Sequence, residues 1–431
     1  MKYIKKILSN GITIIMIPKT DVEIVSMGFF VKAGSRNETD ENNGVAHFLE
    51  HMMFRGTTTR DSTQLFQQLD TIGAMYNAVT TMQNTYYYIY GNTIDTKKML
   101  DIILDIYINP KFNNSEIERE KKVIIEEMRL ISDMPMTKLY LTAHKDFFRN
   151  TSLSRDVIGT PDTVLNLRKK DFIEFRTAMY RPDNTVFVIT GNFNPIPIYN
   201  LISNVLNPLE PAKSDYDGSY DHEKETILHN MLYQQSPYIF VKTNTFYQQV
   251  YLLLAFPLYD LHKKYFREID LLSDILSVGF SSRLNKALRQ EKGITYNSNT
   301  YPIIYSDAGI FFIQVVINPN ELSEGVKILI SELKKLKEED VTQEEMLKVI
   351  NTTKNENIHS FLNPLDVMTY FGLNFLADKN FQPQLKKELE SIKKVTPKRL
   401  RKVANKIFIR NKINLYLYGN VIETNFDFLD L

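Results

Sequence analysis

Residues 42–56 read NNGVAHFLEHMMFRG and set two histidines and a glutamate in the order His47, Glu50, His51. Asn43 is placed to cap a helix start, and Gly56 to end it in a left-handed turn. At about 100° per residue, Val45, Phe48, Leu49 and Met52 gather on one side, and His47, Glu50, His51 and Phe54 on the other. The pattern predicts a helix anchored by apolar residues, with its His/Glu face turned outward.

Two imidazoles at i and i+4 lie one helical turn apart, within reach of one tetrahedral zinc ion. Glu50, between them, can take a proton from a water whose pKa the zinc lowers to about 7. The order H-x-x-E-H inverts the commoner H-E-x-x-H and marks the inverted zincins. Such a site needs a third ligand. The run IEREKKVIIEEMRLI (117–131) reads as a helix begun by a capping box of Ser115 and Glu118, and it projects Glu120 and Glu127 from one face. Glu127 is the expected ligand, with Glu120 a supporting carboxylate that orients a ligand or the water.

A chain of 431 residues exceeds one ordinary core and suggests two domains of about 200 residues. Lys and Arg number 52 against 51 Asp and Glu, a net charge of +1. That balance points to neither nucleic acid nor an anionic membrane as partner. There is no cysteine, which excludes disulfides, thiolate metal sites and cysteine nucleophiles, so a metal must use His and carboxylate. The start, MKYIKKILSNGITIIMIP, is broken by Ser9, Asn10 and Gly11 and reads as strand, turn, strand rather than a signal peptide or membrane span. An intracellular, cytoplasmic location is the default expectation.

The rest of the chain reads as a duplication. IVSMGFFVKAG (24–34) is strand-like, DSTQLFQQLDTIG (61–73) is a short helix, and NAVTTMQNTYYYIYGN (77–92) is strand-rich. TVFVITGN (185–192) closes a first half, and NPLEPAKSDYDGSYDHEK (207–224) has the composition of a linker. Beyond it GITYNSNT (293–300) echoes GAMYNAVT (73–80), Thr342 and Glu345 echo the Ser115 box, and IRNKINLYLYGN (409–420) echoes YRPDNTVFVITGN (180–192). The expected division is 1–206, a linker at 207–224, and 225–431. In the second half DLLSDILSVG (270–279) falls opposite HFLEHMMFRG (47–56), and Lys354 opposite Glu127, so only the first half has metal ligands. The second half's distinctive stretch, SSRLNKALRQEKGITYNSNTY (281–301), reads as a helix bearing Arg289 followed by a strand bearing Tyr296.

These residues resemble the pitrilysin/insulinase group of inverted-zincin metallopeptidases, and within it the two-domain subunits similar to the catalytic subunit of the mitochondrial processing peptidase. The resemblance is carried by VKAGSRNETDENNGVAHFLEHMMFRGT (31–57), GAMYNAVTTMQNTYYY (73–88), EREKKVIIEEM (118–128), YRPDNTVFVITGN (180–192) and SSRLNKALRQEKGITY (281–296). It implies one zinc bound by His47, His51 and Glu127, Glu50 as general base, and Glu120 as the accessory acid. Arg289 and Tyr296 match a pair that anchors the substrate backbone and donates to the oxyanion, and Asn77 and Ala78 match the edge strand along which substrate lies. The implied fold is α+β, two tandem homologous domains, each an antiparallel-rich sheet with helices on one face. LSVGFSS (276–282) has one glycine where the non-catalytic partner subunit has a glycine-rich loop, which argues against that role.

The expected activity is zinc-dependent endoproteolysis of short or unfolded polypeptides within a closed chamber. The alternative is a catalytically silent structural or binding subunit, which has no chemical reason to keep the whole residue set. In similar long-chain enzymes four such units close one chamber. Two units per chain therefore imply a second chain, most economically a homodimer.

Overall fold

The computed structural model describes residues 2–210, 223–232, 234–383, 390–422 and 425–431, so most of the expected linker lies outside the described residues. The first repeat runs β1 (Ile4–Ile7), β2 (Thr13–Pro18), β3 (Ile24–Val31), α1 (Val45–Met53), α2 (Ser62–Thr71), β4 (Met75–Thr80), β5 (Thr85–Asn92), α3 (Thr96–Ile108), α4 (Asn114–Ser132), α5 (Pro135–Phe147), α6 (Pro161–Asn166), α7 (Lys169–Met179), β6 (Thr185–Gly191) and α8 (Pro195–Leu206). The second runs α9 (Lys224–Leu232), β7 (Tyr238–Thr243), β8 (Val250–Pro257), α10 (Leu261–Ser277), β9 (Ser298–Ile304), β10 (Gly309–Ile317), α11 (Leu322–Glu338), α12 (Gln343–Leu362), α13 (Pro364–Ala377), α14 (Pro397–Ile407) and β11 (Asn414–Gly419).

Each repeat builds one sheet, in the order β1-β2-β6-β3-β5-β4 and β7-β11-β8-β10-β9. Set β1 aside and the two orders are the same, down to one parallel pair in each, β2 with β6 and β7 with β11. All other pairings are antiparallel. The α+β class and the tandem organisation are as the repeat implies.

Packing does not follow the repeat boundary. One compact unit comprises Met1–Arg129, Arg155–Ser219 and Asn357–Pro383, and the other Leu130–Ser154, Tyr220–Glu356 and Gln384–Leu431. Each unit thus takes a helix from the opposite repeat, α13 in the first and α5 in the second. Helices therefore cover both faces of each sheet's inner strands, more than the one-face packing implied by the resemblance. In β3, Phe29 stacks on Tyr107 of α3 with ring centroids 3.9 Å apart. Its neighbour Phe30 points to the other face and packs with Val367, Met368, Phe371 and Phe375 of α13. Gly372 permits this approach, since a Cβ there would lie 2.4 Å from the Phe30 ring. In the second unit Phe311 of β10 packs against Phe408 below α14, while Phe312 meets Tyr140 of α5 edge-on. The two-sided cover explains the near-continuous apolar runs of β3, β6 and β8. Each large side chain so buried contributes roughly 1.5–3 kcal/mol.

Candidate metal centre

Helix α1 buries Val45, Ala46, Phe48, Leu49, Met52 and Met53, and leaves His47, Glu50 and His51 half-buried on its other side, as the periodicity predicts. Phe54 follows the last turn and packs near Tyr76 and Tyr87. Gly56 takes a φ of 109°. The start differs from expectation. Gly44, at φ 96°, holds the cap position, and the carboxylate of Glu38 does the capping. Glu38 accepts from the N–H of Gly44 (2.8 Å) through Oε2 and of Ala46 (2.7 Å) through Oε1. Asn43 does not cap the helix; its amide donates to Glu38 Oε2 (2.7 Å) and to the Asp156 carbonyl (2.9 Å). Burial pushes Glu38 up, to about 8, against the pull of these donors. N–H groups reach both of its oxygens, so each serves as an acceptor.

Helix α4 brings Glu120 and Glu127 to the histidines. It begins at Asn114, one residue before Ser115, so Ser115 lies inside the first turn and does not cap it. The echoed box is present at α12, where Glu345 N–H donates to Thr342 Oγ1 (3.1 Å) and Thr342 N–H to Glu345 Oε2 (2.8 Å). Glu127 Oε1 lies 3.7 Å from His47 Nε2, and its Oε2 lies 3.7 Å from His51 Nε2. These separations are too long for hydrogen bonds and suit donors placed around one ion. One ligand atom from each of His47, His51 and Glu127 lies within 4.8 Å of the others, and this is the one such group among the described residues.

Glu120 is buried and supports the set from behind. His51 Nδ1 is 2.8 Å from Glu120 Oε1, to which Arg55 Nη2 also donates (2.9 Å), and Arg55 Nε is 2.6 Å from Oε2. Donation from Nδ1 leaves the lone pair of His51 on Nε2, facing Glu127. Burial would raise Glu120, but the His51 and Arg55 donors hold it below the usual carboxylate range. Burial also lowers His51, yet the surrounding carboxylates outweigh it and the net shift is upward. His47 is pushed down to about 3 by burial and by His51, which keeps its imidazole neutral and able to ligate. Burial raises Glu127 as well. The donors therefore fit a zinc ion in number, type and placement.

Glu50 points to the same side. Thr80 Oγ1, at the end of β4, donates to Glu50 Oε2 at 2.7 Å, and burial raises the Glu50 carboxyl against that bond. Asn77 and Ala78 lie on β4, at the sheet edge, opposite Tyr88 and Tyr87 of β5. The Ala78 N–H donates to Asn77 Oδ1 at 2.9 Å, so an added strand that uses this donor must displace the Asn77 amide.

Arg289 and Tyr296 lie in the other compact unit. Arg289 stands on a single π-helical turn, Asn285–Gln290, a local irregularity frequent at functional sites. Tyr296 precedes β9 instead of lying on it. The guanidinium sits 4.5 Å from the centroid of Tyr296 and 5.1 Å from that of Phe280, and both rings are largely exposed. At the positions matching His47 and His51, α10 carries Asp270 and Asp274, which burial pushes up to about 7 and about 6. Sequence reasoning missed Glu38, Arg55, Thr80 and Phe280, whose roles rest on contacts between segments distant in the chain or across a turn.

Comparison with known proteins gives the family. Residues 13–161 match the profile of the insulinase family, peptidase family M16, and residues 166–353 that of the peptidase M16 inactive domain. An uncharacterized zinc protease of Rickettsia bellii is 30% identical over 79% of this chain and 79% of its own length. The beta subunit of the mitochondrial-processing peptidase of Lentinula edodes is 35% identical over 43% of this chain and 40% of its own. A protease structure from Helicobacter pylori superposes with a TM-score of 0.87 at 22% identity, covering 97% of this chain and 99% of that one, a likeness of fold. The chain belongs to the insulinase family, peptidase family M16.

Proposed function

We propose that this chain is a zinc-dependent endopeptidase that cleaves short or unfolded polypeptides within a closed chamber, with one zinc per chain held by His47, His51 and Glu127. The observation that carries the reading is the convergence of those donors within 4.8 Å of one another, beside a glutamate held by Thr80. When bound, zinc supplies a Lewis acid that polarises a peptide carbonyl and acidifies a water at neutral pH. Glu50 accepts a proton from the attacking water at its carboxylate and passes it to the leaving amine. Glu120 and Arg55 keep the His51 ring in one tautomer. Arg289 and Tyr296 serve as the backbone anchor and oxyanion donor, and the edge of β4 at Asn77 and Ala78 receives substrate as an added strand. Main-chain pairing gives affinity without demanding a particular sequence, so folded proteins resist.

Among the described residues each chain carries one metal set, beside the Arg289/Tyr296 pair, which supports a homodimer whose two sites draw on both subunits. Nothing in the charge balance favours nucleic acid, and among the described residues no helix is long and apolar enough to cross a membrane. The test is cleavage of a mixed peptide library with and without chelator, together with the Glu50→Gln variant. That variant should keep its zinc and lose turnover. Normal cleavage by Glu50→Gln would remove Glu50 from the mechanism, and chelator-resistant cleavage would remove the metal.

A further inference from the structure

We propose that Glu38 is a positioning residue of the metal centre, setting the placement of His47 through the first turn of α1. The inference rests on the reading that His47, His51 and Glu127 hold zinc. A helix start leaves up to four N–H groups without intrahelical partners. Here two of them, on Gly44 and Ala46, converge on the two oxygens of one buried carboxylate. Ala46 is the residue before His47. A two-point grip on the peptide groups just ahead of a ligand fixes both the height and the rotation of the helix about its axis. A few degrees of rotation would swing His47 Nε2 away from Glu127, now 3.7 Å distant.

The grip is anchored at both ends. Glu38 follows the short turn Ser35–Asn37, where Ser35 N–H donates to the Thr81 carbonyl (3.2 Å) and Arg36 N–H to that of Met82 (2.9 Å). Those carbonyls belong to the loop that begins just after Thr80, the residue holding Glu50. One hydrogen-bonded frame therefore connects the residue that orients the base to the residue that orients the ligand helix. Gly44 also lies against Ile158 and Gly159 so closely that a Cβ on Gly44 would meet the Ile158 carbonyl at 2.8 Å.

The experiment measures zinc affinity by competition with a chromophoric chelator, without substrate, on full-length parent, Glu38→Gln, Glu38→Asp and Thr342→Ala. Melting of each zinc-free protein is followed in parallel. Glu38→Gln keeps the shape of the side chain but turns one acceptor into a donor facing an N–H. It should weaken zinc binding ten-fold or more. Glu38→Asp keeps both oxygen acceptors on a shorter stem and should recover part of the loss. Thr342→Ala removes the cap of α12 and should lower the melting temperature with zinc affinity within two-fold of the parent. Glu38→Gln with affinity within two-fold of the parent, whatever its melting temperature, would overturn the proposal. Should Glu38→Gln fail to fold, unchanged affinity in Glu38→Asp would do the same. A parent that binds zinc but cleaves no peptide would overturn the peptidase reading and leave this one standing. A parent that binds no zinc would overturn the metal assignment itself.

Discussion

Thr80 Oγ1 donates to Glu50 Oε2 at 2.7 Å, and the two residues belong to different elements, the edge strand β4 and the helix α1. The bond fixes one carboxylate oxygen and leaves the other free to take a proton. Thr80→Val keeps the shape and deletes the donor. In the proposed peptidase we expect kcat to fall about 10- to 100-fold, roughly 1.4–2.7 kcal/mol of barrier, with zinc content unchanged and a smaller change in KM. Steady-state kinetics with metal analysis checks this. An unchanged kcat would mean that the Glu50 orientation does not depend on Thr80.

Gly372 tests the exchange of helices between the repeats. Phe30, against which a Cβ at position 372 would press, is fully buried and stacks on Tyr86 with centroids 5.2 Å apart, so it cannot move aside. Gly372→Ala should destabilise the first unit by about 1–3 kcal/mol, the usual range for overpacking. A lower urea midpoint would show it, whereas an unchanged midpoint would mean that α13 does not dock on β3.

Much of this architecture is legible in the sequence because local chemistry decides it. The face of α1 follows from helical periodicity, and the correspondence of β6 with β11 from the echo between YRPDNTVFVITGN and IRNKINLYLYGN. Glu127 can be picked out because it shares a helix face with Glu120. What periodicity cannot show is which sheet a helix packs on. The apolar residues of α13 would serve either repeat, and their packing on Ile15, Phe30 and Val188, with Gly372 against the Phe30 ring, assigns them to the first. The start of α1 shows the same limit. A side chain at Asn43 predicts capping by its own propensity, but Glu38, brought round by a turn, offers two oxygen acceptors, and Asn43 serves it as a donor. Tyr296 falls outside its expected strand because the second repeat begins pairing only at Ser298.

His144 gives a pH dependence of stability. It sits on α5, with Nε2 2.6 Å from the Tyr305 hydroxyl and its ring between Phe148 and Tyr140. Burial pushes its pKa down to about 4 from 6.5. The folded chain then stays neutral at His144 where the unfolded chain binds a proton, so stability falls as pH drops from about 6.5 to about 4. The loss is on the order of 3 kcal/mol across that window. Urea midpoints of the parent and of His144→Phe at a series of pH values check this, and the variant should show a flatter profile over that window. Parallel profiles would show that His144 titrates alike in both states.

The assembly prediction rests on which chain supplies Arg289 and Tyr296. If the active particle is a homodimer in which each site takes zinc and Glu50 from one subunit and the Arg/Tyr pair from its partner, two inactive variants can restore each other. Glu50→Gln and Tyr296→Phe are mixed under conditions that let subunits exchange. In the mixed dimer the Tyr296→Phe chain provides an intact Glu50, and the Glu50→Gln chain provides an intact Tyr296, so these two meet at one site and that site recovers. The other site holds both defects and stays silent. With complete statistical exchange of equal amounts, half the dimers are mixed and each has one working site of two. The pool should therefore recover about a quarter of the parent activity, because half of the symmetric dimers are mixed and half of the sites in each work. Were the pair to act on the zinc of its own chain, every site would carry one defect and no recovery would follow. Mixed dimers demonstrated by mass, with both single variants inactive and the pool still silent, would sink the arrangement and favour a monomer or a different partner chain.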